Sequence, residues 1–108
     1  MLEKVTNRIY YLMNNDEIDR PTLGLVIGDN CSLVIDAGDS PEHAELMQEE
    51  IKSLELPPVR YVVATHHHSD HIFGLSKWDA VTIASKKTSE LVHEQYGQDG
   101  WDYRRFGL

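Results

Sequence analysis

Val59-Arg60-Tyr61-Val62-Val63-Ala64-Thr65-His66-His67-His68-Ser69-Asp70-His71 is the stretch on which the reading of this chain turns. Its opening residues, Val59 to Ala64, are rich in β-branched and aromatic side chains and predict a buried strand. Directly behind that strand stand four potential metal ligands, His66, His68, Asp70 and His71. Loops at the carboxyl ends of strands in α/β sheets are where ligands usually bind. In an extended segment residues two apart point the same way, so His66 and His68 can reach one ion together. A turn after Ser69 lets Asp70 and His71 face a neighbouring position. Imidazole nitrogen and carboxylate oxygen suit Zn2+, and they also suit Fe or Mn. A histidine tag would sit at a terminus, and polar groups crowded at a strand end need partners. His67 is expected to point away from the metal, and His43 and His93 are read as plain surface residues.

Upstream, Ser40 and Pro41 have the character of an N-cap and a first helical residue. Ala44, Met47, Ile51 and Leu54 then recur at helical spacing, and Pro57-Pro58 stops the helix. Before it, the apolar runs Thr22 to Gly28 and Cys31 to Asp36 flank Asp29-Asn30, a pair suited to a tight hairpin turn. Arg8 to Met13 reads as the first strand and Asn14 to Pro21 as a loop. Downstream, Val81 to Ala84 reads as a short strand and Ser85 to Tyr96 as a helix closed by Gly97. The tail, Gln98 to Leu108, has no clear pattern. Its aromatics Trp101, Tyr103 and Phe106 either dock on a core or seek a partner. The fold class is therefore α/β, a β-hairpin followed by βαβ units.

A chain of 108 residues has room for one domain, taken as residues 1–108 with the tail 98–108 of uncertain structure. A net charge of −8 disfavours a grip on nucleic-acid phosphates, because Lys86-Lys87 and Arg104-Arg105 are the only dense basic stretches. With Cys31 the single cysteine, no intramolecular disulfide can form. The amino-terminal residues lack the apolar core of a signal peptide, and the apolar runs are too short to span a bilayer. A cytoplasmic protein without membrane attachment is the expectation.

The segment His66-His67-His68-Ser69-Asp70-His71 resembles the His-x-His-x-Asp-His signature of the metallo-β-lactamase fold superfamily. The likeness extends to Leu33-Val34-Ile35-Asp36-Ala37-Gly38, similar to that family's apolar-run-Asp-x-Gly segment. It also takes in the helix that follows, the strand before the histidines, and Ile72-Phe73-Gly74-Leu75 after them, covering about residues 5 to 95. The resemblance implies that His66 and His68 bind a first metal and Asp70 and His71 a second. It places Asp36 behind the metal loop as a hydrogen-bond acceptor, and gives Asp70 a catalytic part in orienting the nucleophile. It further implies an αββα sandwich of two similar halves, of which this chain is the amino-terminal one. The second half of complete members supplies another metal-binding His, a bridging Asp and a final His, and none has a counterpart here.

The chemistry implied is hydrolysis by a metal-bound hydroxide, with two Zn2+ ions if the site is complete. Substrates would be small esters, thioesters, lactones or lactams. Completion would come from a missing carboxyl-terminal half or from a partner, including a second copy packed sheet to sheet as a homodimer. The alternative is a non-catalytic metal-binding fragment or remnant, because two ligands per ion bind weakly.

Overall fold

The computed structural model describes residues 1–97 and 101–108; positions 98–100, the start of the tail, lie outside the described residues. Six strands form one sheet in chain order: β1 (Leu2–Thr6), β2 (Ile9–Leu12), β3 (Leu23–Ile27), β4 (Ser32–Ile35), β5 (Val59–Val63) and β6 (Val81–Ile83). The pairs from β1 to β4 are antiparallel, while β4–β5 and β5–β6 are parallel. The switch follows from the connections. Asp29-Asn30 reverses the chain between β3 and β4, whereas helix α1 (Pro41–Lys52) carries it back between β4 and β5. Between β5 and β6 lie the one-turn helix α2 (Ser69–Ile72) and a 3-10 turn at Leu75–Lys77, and α3 (Lys86–Tyr96) follows β6.

Most expected elements are present with ends moved by a residue or two. One strand was not anticipated: β1 is an edge strand, mostly exposed, whose Leu-Glu-Lys-Val-Thr sequence carries too little apolar character to announce itself. Asn14 to Pro21 is mostly loop as expected, but it contains a 3-10 turn at Asp16–Ile18 and a bridge between Asn15 and Arg20.

The sheet has two unlike faces. On one, Leu25, Val34 and Val62 stand in register across β3, β4 and β5 and are essentially buried. Met47 of α1 shares a cluster with Leu12, Leu23, Leu25 and Val34. Val92 of α3 joins Val62, Ala64, Ile72 and Leu75 in a second cluster. On the other face, Leu33, Tyr61 and Val81 form one row and Ile35, Val63 and Ile83 the next. Among the described residues no helix covers these rows, and Tyr61, Val81 and Ile83 remain 39%, 60% and 44% exposed. The expected burial of β5 therefore needs correction, since the strand is buried on its helix side alone. Nor does the aromatic tail cover the open face: Tyr103 and Leu108 are buried in the helix-side cluster, with Trp101 and Phe106 packed against it.

His43 overturns its reading as a surface residue. It is 1% exposed, because it lies one helical turn before Met47 on the buried stripe of α1. Its Nδ1 accepts the Asp39 N–H at 3.1 Å, so that nitrogen carries no proton. Burial is the main cause that lowers the His43 pKa below 6.5; Arg20 adds to it and Asp39 opposes it. The unfolded chain therefore takes up a proton that the folded one rejects. Stability from this group is complete above about pH 6.5 and is lost as pH falls below it. Urea midpoints are expected to be level from pH 8 to 7 and to decline toward pH 5, with a shallower decline in His43→Gln. Parallel profiles for the two proteins would refute this account.

Candidate metal centre

The cluster is built on the path from β5 into α2. β5 ends at Val63, the Ala64 N–H still donates to the Ile83 carbonyl, and His68 keeps an extended backbone before Ser69 opens the helical turn. This places the His66 ring centroid 4.7 Å from that of His68 and 4.1 Å from that of His71. Nε2 of His71 lies 3.6 Å from Asp70 Oδ2. His67 contacts Gln95 of α3 through its Nε2 at 3.1 Å, and its ring also stands edge-on to His68 at 4.7 Å. His93 is exposed, as expected, although its Nε2 bonds the Leu108 main-chain oxygen at 2.8 Å and its ring packs on Tyr103.

Asp36 lies under this cluster. It follows β4 with φ of 68°, a left-handed conformation that Asp adopts more readily than most residues and that still costs about 1 kcal/mol. The conformation directs a nearly buried carboxylate at the histidine loop. Oδ1 accepts the Thr65 N–H at 2.9 Å, and Oδ2 meets His71 Nδ1 at 2.7 Å. The Thr65 hydroxyl lies 3.0 and 2.9 Å from the two oxygens. A carboxylate only accepts, so the proton of that His71 contact resides on Nδ1, and in the neutral ring Nε2 keeps the free lone pair. Burial, followed by the neighbouring His71 and His68, lowers the His66 pKa below 6.5 against the opposing pull of Asp36 and Asp70. A neutral ring is the form that binds metal.

Residues after Asp36 clamp the loop from the other side. The Ala37 N–H donates to the His71 carbonyl at 2.8 Å, and the Gly74 N–H donates to the Gly38 carbonyl at 3.0 Å. The Trp78 indole N–H donates to the Ala37 carbonyl at 3.0 Å. Gly74 is needed for this approach, because a Cβ there would stand 2.4 Å from the Ala37 oxygen and 2.9 Å from that of Ser40. Gly74→Ala is expected to cost about 2 kcal/mol or more of stability by forcing the two segments apart, read as a lower urea midpoint. An unchanged midpoint would show that the clamp yields freely. The sequence reading missed Trp78 and Gly74 as supports. Gly directly after an apolar Ile-Phe pair is the signal that could have found the latter, since glycine permits close backbone contact.

The donor types, imidazole and carboxylate, fit Zn2+ and related ions, and the freed Nε2 of His71 fits a ligand's role. Among the described residues, however, no group of three or more His, Cys, Asp or Glu side chains is placed to hold an ion between them. Asp70 stays 43% exposed on its side chain. A cavity of about 370 Å³ opens nearby in the chain, lined by Asp39, Ser40, Phe73, Trp101, Arg105 and Phe106 among others, and not by the histidines. No helix of the described residues is long and apolar enough to cross a membrane.

The family model of the metallo-beta-lactamase superfamily matches residues 19–107. A search of curated proteins finds no match. Among solved structures, a metallo-beta-lactamase from Erythrobacter litoralis, with beta-mercaptoethanol in its active site, is similar at 22% identity with a TM-score of 0.70. A metallo-beta-lactamase from Pseudomonas aeruginosa in a mono-zinc form is similar at 18% identity and TM-score 0.70. Each likeness covers 87% of this chain and 45% of the other, so the chain spans a little under half the length of these neighbours. With a mixed sheet, helices on one face and a family match over most of its residues, the chain belongs to the metallo-beta-lactamase superfamily.

Proposed function

We propose that this chain supplies the histidine-bearing half of a metal-dependent hydrolase, with zinc as the preferred metal and two ions in the completed site. His66 and His68 would hold one ion and Asp70 and His71 the other, with Asp36 fixing His71 from behind. The observation that carries this reading is the imidazole cluster at the carboxyl end of β5, seated on the Asp36 carboxylate. When bound, such ions supply Lewis acidity toward a carbonyl oxygen and bring the pKa of a water near neutrality. The chain's own part is to hold neutral ring nitrogens toward the metal and to keep Asp70 beside His71, where it can also orient the attacking water. Small esters, thioesters, lactones or lactams are the substrate class, and the acidic balance disfavours nucleic acid.

The remaining ligands would come from a second, similar half seated on the open sheet face, whether more polypeptide or a second copy of this chain. The exposed rows of Tyr61 and Val81 and of Ile83 support such a partner, since sheets bury apolar faces on one another. The absence of a three-ligand group among the described residues favours a second reading, a weak, non-catalytic metal-binding domain.

Zinc-loaded protein should be assayed against a panel of lactam, lactone and thioester substrates, with metal counted and mass measured by light scattering on the same sample. Hydrolysis by a zinc-bearing dimer, lost on chelation and restored by zinc, is the expected result. A zinc-bearing dimer inactive in every assay supports the second reading, a zinc-bearing monomer points to further polypeptide as the missing half, and a protein that binds no zinc refutes both.

A further inference from the structure

The Thr65 hydroxyl stands between two groups whose chemistry leaves it no choice of direction. It lies 3.0 Å from Asp36 Oδ1 and 2.9 Å from Asp36 Oδ2, and its oxygen is 2.9 Å from His66 Nδ1. The carboxylate has only lone pairs to offer, and the hydroxyl has one proton. If that proton pointed to His66, hydroxyl and carboxylate oxygens would face each other lone pair to lone pair at both contacts. The hydroxyl therefore donates to Asp36, which leaves only its lone pairs for His66. A hydrogen bond to His66 Nδ1 then requires that Nδ1 carry the proton, and His66 Nε2 keeps the free lone pair.

We propose that Thr65 is a positioning residue that selects the Nε2-binding tautomer of His66, and that one carboxylate, Asp36, thereby orients two rings: His71 directly and His66 through the Thr65 hydroxyl. The inference rests on the metal-binding reading of the cluster. It assigns Thr65 a role separate from its backbone, whose N–H bonds Asp36 independently at 2.9 Å. A valine has threonine's shape without the hydroxyl, so it removes the relay and keeps the backbone bond.

The test is long-range proton–nitrogen correlation NMR on the metal-free wild type, Thr65→Val and Thr65→Ser, followed by zinc titration of each against a chromogenic chelator. In the wild type His66 should carry its proton on Nδ1. Thr65→Val should give a mixture of tautomers and weaken zinc binding about tenfold or more, as loss of an outer hydrogen-bond partner does elsewhere. Thr65→Ser should restore both. A wild-type His66 with its proton on Nε2 overturns the proposal without any variant, and so settles the matter even if Thr65→Val fails to fold. Wild-type tautomer and affinity retained in Thr65→Val overturn it while leaving metal binding intact. The expected tautomers in a wild type that binds no zinc would support the Thr65 relay and refute the metal-binding reading instead.

Discussion

Replacing both His66 and His68 with alanine is expected to abolish tight zinc binding while the protein stays folded. Neither ring belongs to the buried clusters that hold the sheet to its helices, so removing them empties no core. His68 is exposed and His66 only partly covered. Circular dichroism and the urea midpoint should stay near those of the wild type. Zinc affinity should fall by more than the ~10–100-fold typical of losing an outer hydrogen-bond partner, because the substitutions remove ligands themselves. Unchanged metal content by elemental analysis of the double variant would show that the ligand assignment is wrong.

Asp36→Ala should damage both stability and metal binding. The substitution strips the Thr65 N–H, the Thr65 hydroxyl and His71 Nδ1 of a shared acceptor. It also places alanine at a φ of 68°, a conformation alanine adopts less readily. Unsatisfied donors in a part-buried setting cost about 1–3 kcal/mol each, so a loss of roughly 3 kcal/mol overall is expected once water reaches some of them. Asp36→Asn tolerates the same backbone but offers a single acceptor oxygen, and should fall between. Calorimetry and zinc titration read the two effects separately. If Asp36→Ala lowers stability without weakening zinc binding, the residue supports the fold alone.

The parts of this protein legible from sequence were those governed by short-range rules. The β3–β4 hairpin was marked by Asp29-Asn30, α1 by its Ser40 cap with Pro41 behind it, and the histidine loop by its residue types, their spacing and their place after the Val59 to Ala64 strand. What escaped depended on contacts distant in sequence. β1 owes its conformation to pairing with β2, where Leu2 meets Leu12 and Glu3 meets Tyr11, and its own residues state little preference. His43 was misread because helical spacing identifies the buried stripe by its apolar members, and a histidine on that stripe looks like solvent-facing polarity until Asp39 is seen beside it. Burial of β5 was overestimated for a related reason. Val62 and Val63 are equally apolar, and nothing in the strand itself records which face has a helix laid against it. The place of Asp36 behind the loop came from the resemblance and not from local pattern, because its partners lie 29 and 35 residues further along the chain.

The strand order has a consequence for how the molecule is made. Because β1 to β6 lie side by side in the order of synthesis, each new strand finds its hydrogen-bonding neighbour already in place as it emerges. No strand must wait for a later one to be inserted between it and its partner, so no gap is left to close. The order allows growth at a single advancing edge, with the antiparallel pairs β1 to β4 available before the parallel crossovers. The segment from Thr65 to His71 leaves the ribosome only after β4 and Asp36 are available to receive it. In that order the histidine loop meets a surface that β4 and Asp36 have already laid down, and β6 and α3 close on it afterwards.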